Sequence, residues 1–207
     1  MTTSTAQRRR SYSDAEPFPV GYNSTILEQF VNWIEPWKDA QILDAGPVCQ
    51  ENILFFARRM RRHYACDMFI RLQRALGKQA GTGSFCGHLD YPPRSFDGIQ
   101  LWDMVDHLDD EQAGQLVARC FEMLRSTGLL MLIALEKEPE PAMINTFVIG
   151  PNYRVDLRLQ QHLQLPWYCR HNRALISLLA EFDFVKSFRY RSGLREFLFQ
   201  KPGLIRD

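Results

Sequence analysis

Two acids, Asp44 and Asp67, each closing a short apolar run, constrain this chain more than any other feature. The first run is QILDAG at residues 41–46; the second is YACD at residues 64–67. Strand, acid and glycine, then helix, then a second strand ending in an acid, is the front half of a nucleotide-binding βαβ unit. A carboxylate at the tip of the second strand can accept two hydrogen bonds from a vicinal diol, which gives Asp67 a role toward a ribose. Gly46 lets backbone approach a ligand where a Cβ would collide. The loop that follows, Pro47-Val48-Cys49-Gln50, has no further glycine, and Pro47 removes an N–H donor. That argues against a pyrophosphate cofactor such as a nicotinamide dinucleotide, which needs close backbone approach and free N–H groups at the helix start.

At 207 residues the chain is long enough for a core without disulfide or metal staples. A hydrophobic fraction of 45% and a net charge of +1 exert no general pull toward nucleic acid or membrane. No apolar run approaches the ~20 residues that span a bilayer. Residues 1–13 carry basic side chains with no apolar stretch behind them, unlike a secretory signal. Five cysteines without a CxxC suit a reducing compartment, and the expected location is the cytoplasm.

Residues 1–20 read as a flexible polar arm and 21–207 as one domain. Ser24 caps a helix with the stripe Leu27, Phe30, Val31 and Ile34. Strands are expected at 41–45, 63–67, within 84–89, and at 96–102. Between the first two lies a helix with Ile53, Phe56, Ala57 and Met60 on one face, and a second helix covers 68–76. Asp109 with Gln112 forms a capping box for a helix lined by Ala113, Leu116, Val117, Cys120 and Leu124. Gly128 opens LLMLIALE, a run apolar on both faces and so suited to the middle of a parallel sheet. Residues 140–166 are irregular in pattern. A last helix from about Asn172 leads into two runs, 184–190 and 195–201, that form an antiparallel hairpin about Ser192-Gly193. The expected fold is α/β: a doubly wound, three-layer, Rossmann-like sheet, mostly parallel, closed by a C-terminal antiparallel hairpin.

On these motifs the chain resembles the class I methyltransferases dependent on S-adenosylmethionine. QILDAG resembles the first motif of that family and YACDMF the second, whose acid binds both ribose hydroxyls. HLDYPPRSFDGIQLWDMVDHLDD resembles the family's "FD…LWDVLEHL" segment, LRSTGLLML its "LRPGGLLLL" strand entry, and EFDFV its "aGF". The chain departs at the glycine turn, where Val48 and Gln50 stand at two of the three glycine positions.

The resemblance implies S-adenosylmethionine as cofactor, held by Asp44, Gly46, Asp67, Met68, Asp90 and Trp102. Asp44 would position the cationic amino-acid end and Asp67 the ribose. Asp90 would accept from the adenine amino group with Met68 and Leu89 against the ring, and Trp102 and Asp103 would border the sulfonium and the acceptor. His107 and Asp103 are candidate bases, although His107 reads more readily as a structural histidine at the strand–helix junction. Each strand-end acid can also be read as a helix cap or loop anchor. The implied activity is methyl transfer to a small-molecule or macromolecular acceptor, selected by the arm and an insert at about 140–171. The alternative is a non-catalytic methyltransferase-like protein serving as an interaction or regulatory subunit with a protein partner. Metal is not expected: the pairs Cys86/His88 and Cys169/His171 lack the spacing of a known zinc site.

Overall fold

The computed structural model describes residues 21–77, 87 and 89–203. The expected arm at 1–20, most of the expected strand at 84–89 and the Cys86/His88 pair lie outside the described residues. Helix α1, Thr25–Ile34, begins where the Ser24 hydroxyl accepts the Leu27 N–H at 2.9 Å, and Ile26, Leu27, Phe30, Val31 and Ile34 are buried while Trp33 is exposed. Strand β2 (Gln41–Asp44), α2 (Gln50–Ala57), β3 (Arg62–Ala65) and α3 (Met68–Gly77) form the first two units. Strand β4 is Phe96–Gln100, helix α4 Asp110–Met123 and strand β5 Leu124–Leu135; α5 is Asn172–Leu178, and β8 (Asp183–Arg189) and β9 (Leu194–Gln200) make the hairpin.

The main sheet runs β3-β2-β4-β5-β9-β8. Its first four strands are parallel, and β9 enters antiparallel to β5 with β8 antiparallel outside it. The hairpin turn puts Gly193 at φ +84°, a conformation glycine adopts without strain. The Asp109–Gln112 capping box is present on α4 in both directions. Side chains of Leu43, Ile99, Leu130 and Leu132 meet α3, α4 and α5 on one face. Ile42, Leu129, Met131 and Ile133 meet α1 and α2 on the other. Gly98 lets α1 lie directly on the sheet, since a Cβ there would come within 2.6 Å of Phe30 and 2.5 Å of Ile34.

Two expectations need correction. In α2, Ile53 is exposed while Asn52 and Phe55 are buried, because the helix packs through the Asn52–Phe55–Phe56 side. The stretch beyond Pro141 is not irregular throughout: β6 (Asn145–Ile149) and β7 (Arg154–Leu159) pair antiparallel, and β1 (Gly21–Asn23) pairs with β7. This second, three-stranded sheet is fixed to α2 by Asn52. Its amide donates to the Phe147 carbonyl at 2.9 Å and accepts from the Ile149 N–H at 2.8 Å, as a neighbouring strand would. Among the described residues no helix is long and apolar enough to cross a membrane.

Candidate functional site at the strand tips

The parallel strands present their C-terminal ends along one edge, the place where doubly wound sheets bind ligands. At the tip of β2, Asp44 is buried and its Oδ1 accepts the Gly46 N–H at 3.1 Å. The same oxygen accepts the Trp102 indole N–H at 2.7 Å. On its other side His63 Nε2 lies 3.8 Å from Asp44 Oδ2. At the tip of β3, Asp67 Oδ1 accepts the Ile70 N–H at 2.9 Å and so caps α3. Its Oδ2 lies 3.4 Å from the Val48 N–H, bringing the loop after β2 against the acid after β3. Each Asp67 oxygen keeps a lone pair for a further donor.

Of the residues expected around an adenine ring, Met68 and Leu89 are fully buried in the apolar cluster beneath α3, with Cys66 Sγ 3.6 Å from Met68 Sδ. Asp90 is exposed. Trp102 continues β4 by one pairing step, its carbonyl accepting the Ile133 N–H at 2.8 Å, and then turns at φ +50°. That left-handed backbone throws the indole back over Gly46. A Cβ on Gly46 would sit 2.2 Å from the indole Cδ1 and 2.6 Å from Nε1. The outer face of the indole is covered by Phe147 of β6, ring to ring at 5.5 Å and 7°. Trp102 is therefore 2% exposed.

Beyond Trp102 the chain makes a short 3₁₀ turn, Met104–His107, whose polar side chains are buried too. Asp106 Oδ2 accepts the Leu135 N–H at 2.6 Å, and its other oxygen has no partner among the described residues. Burial pushes the Asp106 carboxyl up to about 7. His107 Nδ1 lies 2.9 Å from the Pro166 carbonyl, so that nitrogen carries the proton. Its Nε2 faces Asp103 Oδ2 at 3.6 Å. Burial alone would lower the His107 pKa. The nearby Asp103 carboxylate, with the Pro166 carbonyl, outweighs it and raises the value. Phe69 and Trp167 enclose the ring, at 5.4 and 4.2 Å between centroids. The two candidate bases, Asp103 and His107, thus lie side by side and buried, in a position that pins residues 166–168 to the post-β4 turn.

Three buried charged groups lie nearby: Arg170, one of the insert arginines, and Arg195 and Glu196, which were not singled out in the sequence. Arg170 donates to the carbonyls of Val105 and Leu108 and to Asp110, holding the 166–170 segment down. Arg195 donates to the carbonyls of Leu135 and Arg170. Glu196 is fully buried and accepts from the hydroxyls of Ser24 at 2.6 Å, Tyr190 at 2.9 Å and Tyr22 at 3.0 Å. Burial raises the Glu196 pKa despite these donors. The available signal was two adjacent charges, Arg195-Glu196, inside the otherwise apolar LREFLF strand. Of the arginines in the insert, Arg158 pairs with Glu51 and Arg154 with Asp156. Burial raises the Cys169 thiol to about 12, leaving it a poor nucleophile and metal ligand. Among the described residues no group of three or more His, Cys, Asp or Glu side chains converges as metal donors.

No protein-family profile matches the chain, and no curated protein matches its sequence. Its fold does have counterparts. A SAM-dependent methyltransferase from Methanosarcina mazei superposes with a TM-score of 0.54 at 13% identity, over 87% of this chain and 98% of that one. A SAM-dependent methyltransferase from Archaeoglobus fulgidus gives 0.52 at 11%, over 84% and 91%. The N-methyltransferase NodS from Bradyrhizobium japonicum WM9, in complex with S-adenosyl-L-homocysteine, gives 0.50 at 15%, over 84% and 85%. The fold is that of the S-adenosylmethionine-dependent methyltransferases. Identities this low carry the architecture alone.

The donor set suits such a cofactor: an acid at the tip of each of β2 and β3, a glycine between them, and no demand for the phosphate-binding N–H group that Pro47 removes. The space over Gly46 is where the fit is incomplete, because the Trp102 indole fills it.

Proposed function

We propose that this chain binds S-adenosylmethionine at the tips of β2 and β3 and directs methyl transfer to a small-molecule or macromolecular acceptor. The observation that supports this most is the joining of the two tips. The loop after Gly46 reaches Asp67 through Val48 N–H, so the glycine turn and the ribose-type acid form one continuous wall on a methyltransferase-type sheet. Asp67 would hold the ribose diol with the lone pairs its cap leaves free, and Asp44 the ammonium end. Met68 and Leu89 would support the adenine from below, with Asp90 at its amino group. When bound, the cofactor supplies an electrophilic methyl group on a sulfonium.

The chain's own part is to align the acceptor and keep water out. Asp103, next to Trp102 at the tip of β4, is proposed to take the acceptor's proton. His107, with Nδ1 committed to Pro166 and Nε2 turned to Asp103, would act through Asp103 as a positioning residue. The 140–171 insert is proposed to cap the acceptor within one domain, 21–207, of a cytoplasmic protein.

One observation favours a second reading. The indole over Gly46 and the side chains of Val48 and Gln50 in the turn suit a methyltransferase-like subunit that works through a protein partner without cofactor. Calorimetric titration with S-adenosylmethionine and S-adenosylhomocysteine separates the two. Micromolar binding that disappears in Asp67→Ala, with that variant still melting cooperatively, is the outcome expected of the first reading. No heat from a folded wild-type sample would leave the second.

A further inference from the structure

We infer that Trp102 is a built-in competitor for the amino-acid end of the cofactor cleft, which admits ligand only when the indole swings off Gly46. The inference rests on the cofactor reading above and concerns the regulation of that same site.

Three features of the indole's place carry it. First, it occupies the space that Gly46 keeps open, within 2.2 Å of where a Cβ would stand. Glycine at a strand tip is the means by which backbone meets a ligand; here the close approach is spent on a side chain of the same protein. Second, the indole N–H bonds Asp44 Oδ1 at 2.7 Å, so an N–H donor already satisfies the carboxylate expected to hold an ammonium group. Third, the position is reached at a cost: Trp102 has φ +50°, a left-handed backbone conformation unfavourable for a residue with a Cβ. A bulky residue stays in that region only when its surroundings hold it there. What holds it is the Asp44 bond on one side and the stacked Phe147 on the other.

Phe147 belongs to the small sheet, and its carbonyl is held by Asn52 of α2. Two of that sheet's three strands, β6 and β7, lie in the insert proposed for the acceptor, so movement there relaxes the stack on Trp102 and opens the cleft. Acceptor-side and cofactor-side events are thereby coupled through one ring pair. In a two-state scheme the closed form lowers apparent affinity by the fraction of molecules that are open. Removing the ring therefore tightens binding instead of weakening it, the reverse of what a cofactor-contacting tryptophan would do.

The test is calorimetric titration with S-adenosylhomocysteine of wild type, Trp102→Ala and Trp102→Phe, each checked by thermal melting. Trp102→Phe keeps a stacking ring but frees Asp44, and guards against loss of fold in the alanine variant. Trp102→Ala is expected to bind at least about tenfold tighter than wild type, equivalent to ~1.4 kcal/mol, with a smaller gain for Trp102→Phe. Wild-type binding with equal or weaker affinity in both variants would overturn the competitor role and leave the cofactor site standing. Absence of binding in all three folded proteins would instead overturn the cofactor site, and the competitor with it.

Discussion

At the tips of β2 and β3 the carboxylates of Asp44 and Asp67 each face two N–H groups of the protein, whereas beyond β4 Asp103 and Asp106 each leave one oxygen without a partner among the described residues. In the first region Asp44 Oδ1 already holds two donors, so an ammonium reaching that oxygen must displace the indole N–H, whereas each Asp67 oxygen holds one N–H and keeps a lone pair for a ligand. The second region is sealed rather than satisfied. Burial there pushes the Asp106 carboxyl up to about 7. A strand-tip acid is thus not one kind of object; its chemistry follows from what the next loop places beside it.

The contrast can be broken most forcefully at Glu196, the one buried acid near the second region that takes three hydroxyl donors. Glu196→Ala strands the hydroxyls of Tyr22, Ser24 and Tyr190 and is expected to cost about 3 kcal/mol in chemical denaturation. Glu196→Gln keeps an acceptor and should lose much less. A loss under 1 kcal/mol in the alanine variant would mean that β1 is held mainly by its backbone pairing with β7.

Gly46→Ala probes the first region. Its Cβ cannot coexist with the indole, and displacing the ring is expected to cost about 2 kcal/mol. In a Trp102→Ala background the same change should be nearly neutral, and the double-mutant cycle measures the difference. An equal cost in both backgrounds would show that the glycine serves the loop and not the ring.

The smallest effect is expected at Asp106, and its sign depends on pH. The carboxyl titrates at 3.8 when unperturbed and at about 7 in the native protein, so between those values the native state binds more protons than the unfolded chain. Stability therefore falls as pH rises across that window. The raised His107 acts in the same direction, its contribution being lost as pH rises through its native value. Asp106→Asn, which can still accept the Leu135 N–H, should stabilise by about 1 kcal/mol at pH 8 once the lost attraction to Arg195 and His107 is set against the relief of burial. It should do little at pH 5. A variant less stable at pH 8 would show that the charge of Asp106 is needed by Arg195.

Much of this frame was legible. The ends of β2, the Ser24 cap, the Asp109–Gln112 box, the buried run of β5 and the Ser192-Gly193 turn rest on near-neighbour rules, and local physics decides them. The small sheet was missed although NTFVI and RVDLRL flank a Gly-Pro-Asn turn, a hairpin signal obscured by the prolines just before it. Its third strand, β1, has three residues, too few to show a period.

By itself the sequence determined the sheet, its parallel order with the closing hairpin, and the acids at the strand tips, because periodicity and end signals act within a few residues. Only the tertiary structure decided what those acids touch. Trp102 meets Asp44 across 58 positions, and Ser24 meets Glu196 across 172. A hydrophobic pattern tells which side chains leave water, but packing alone selects the neighbour each finds there, and at Gly46 it selected a tryptophan of the chain itself.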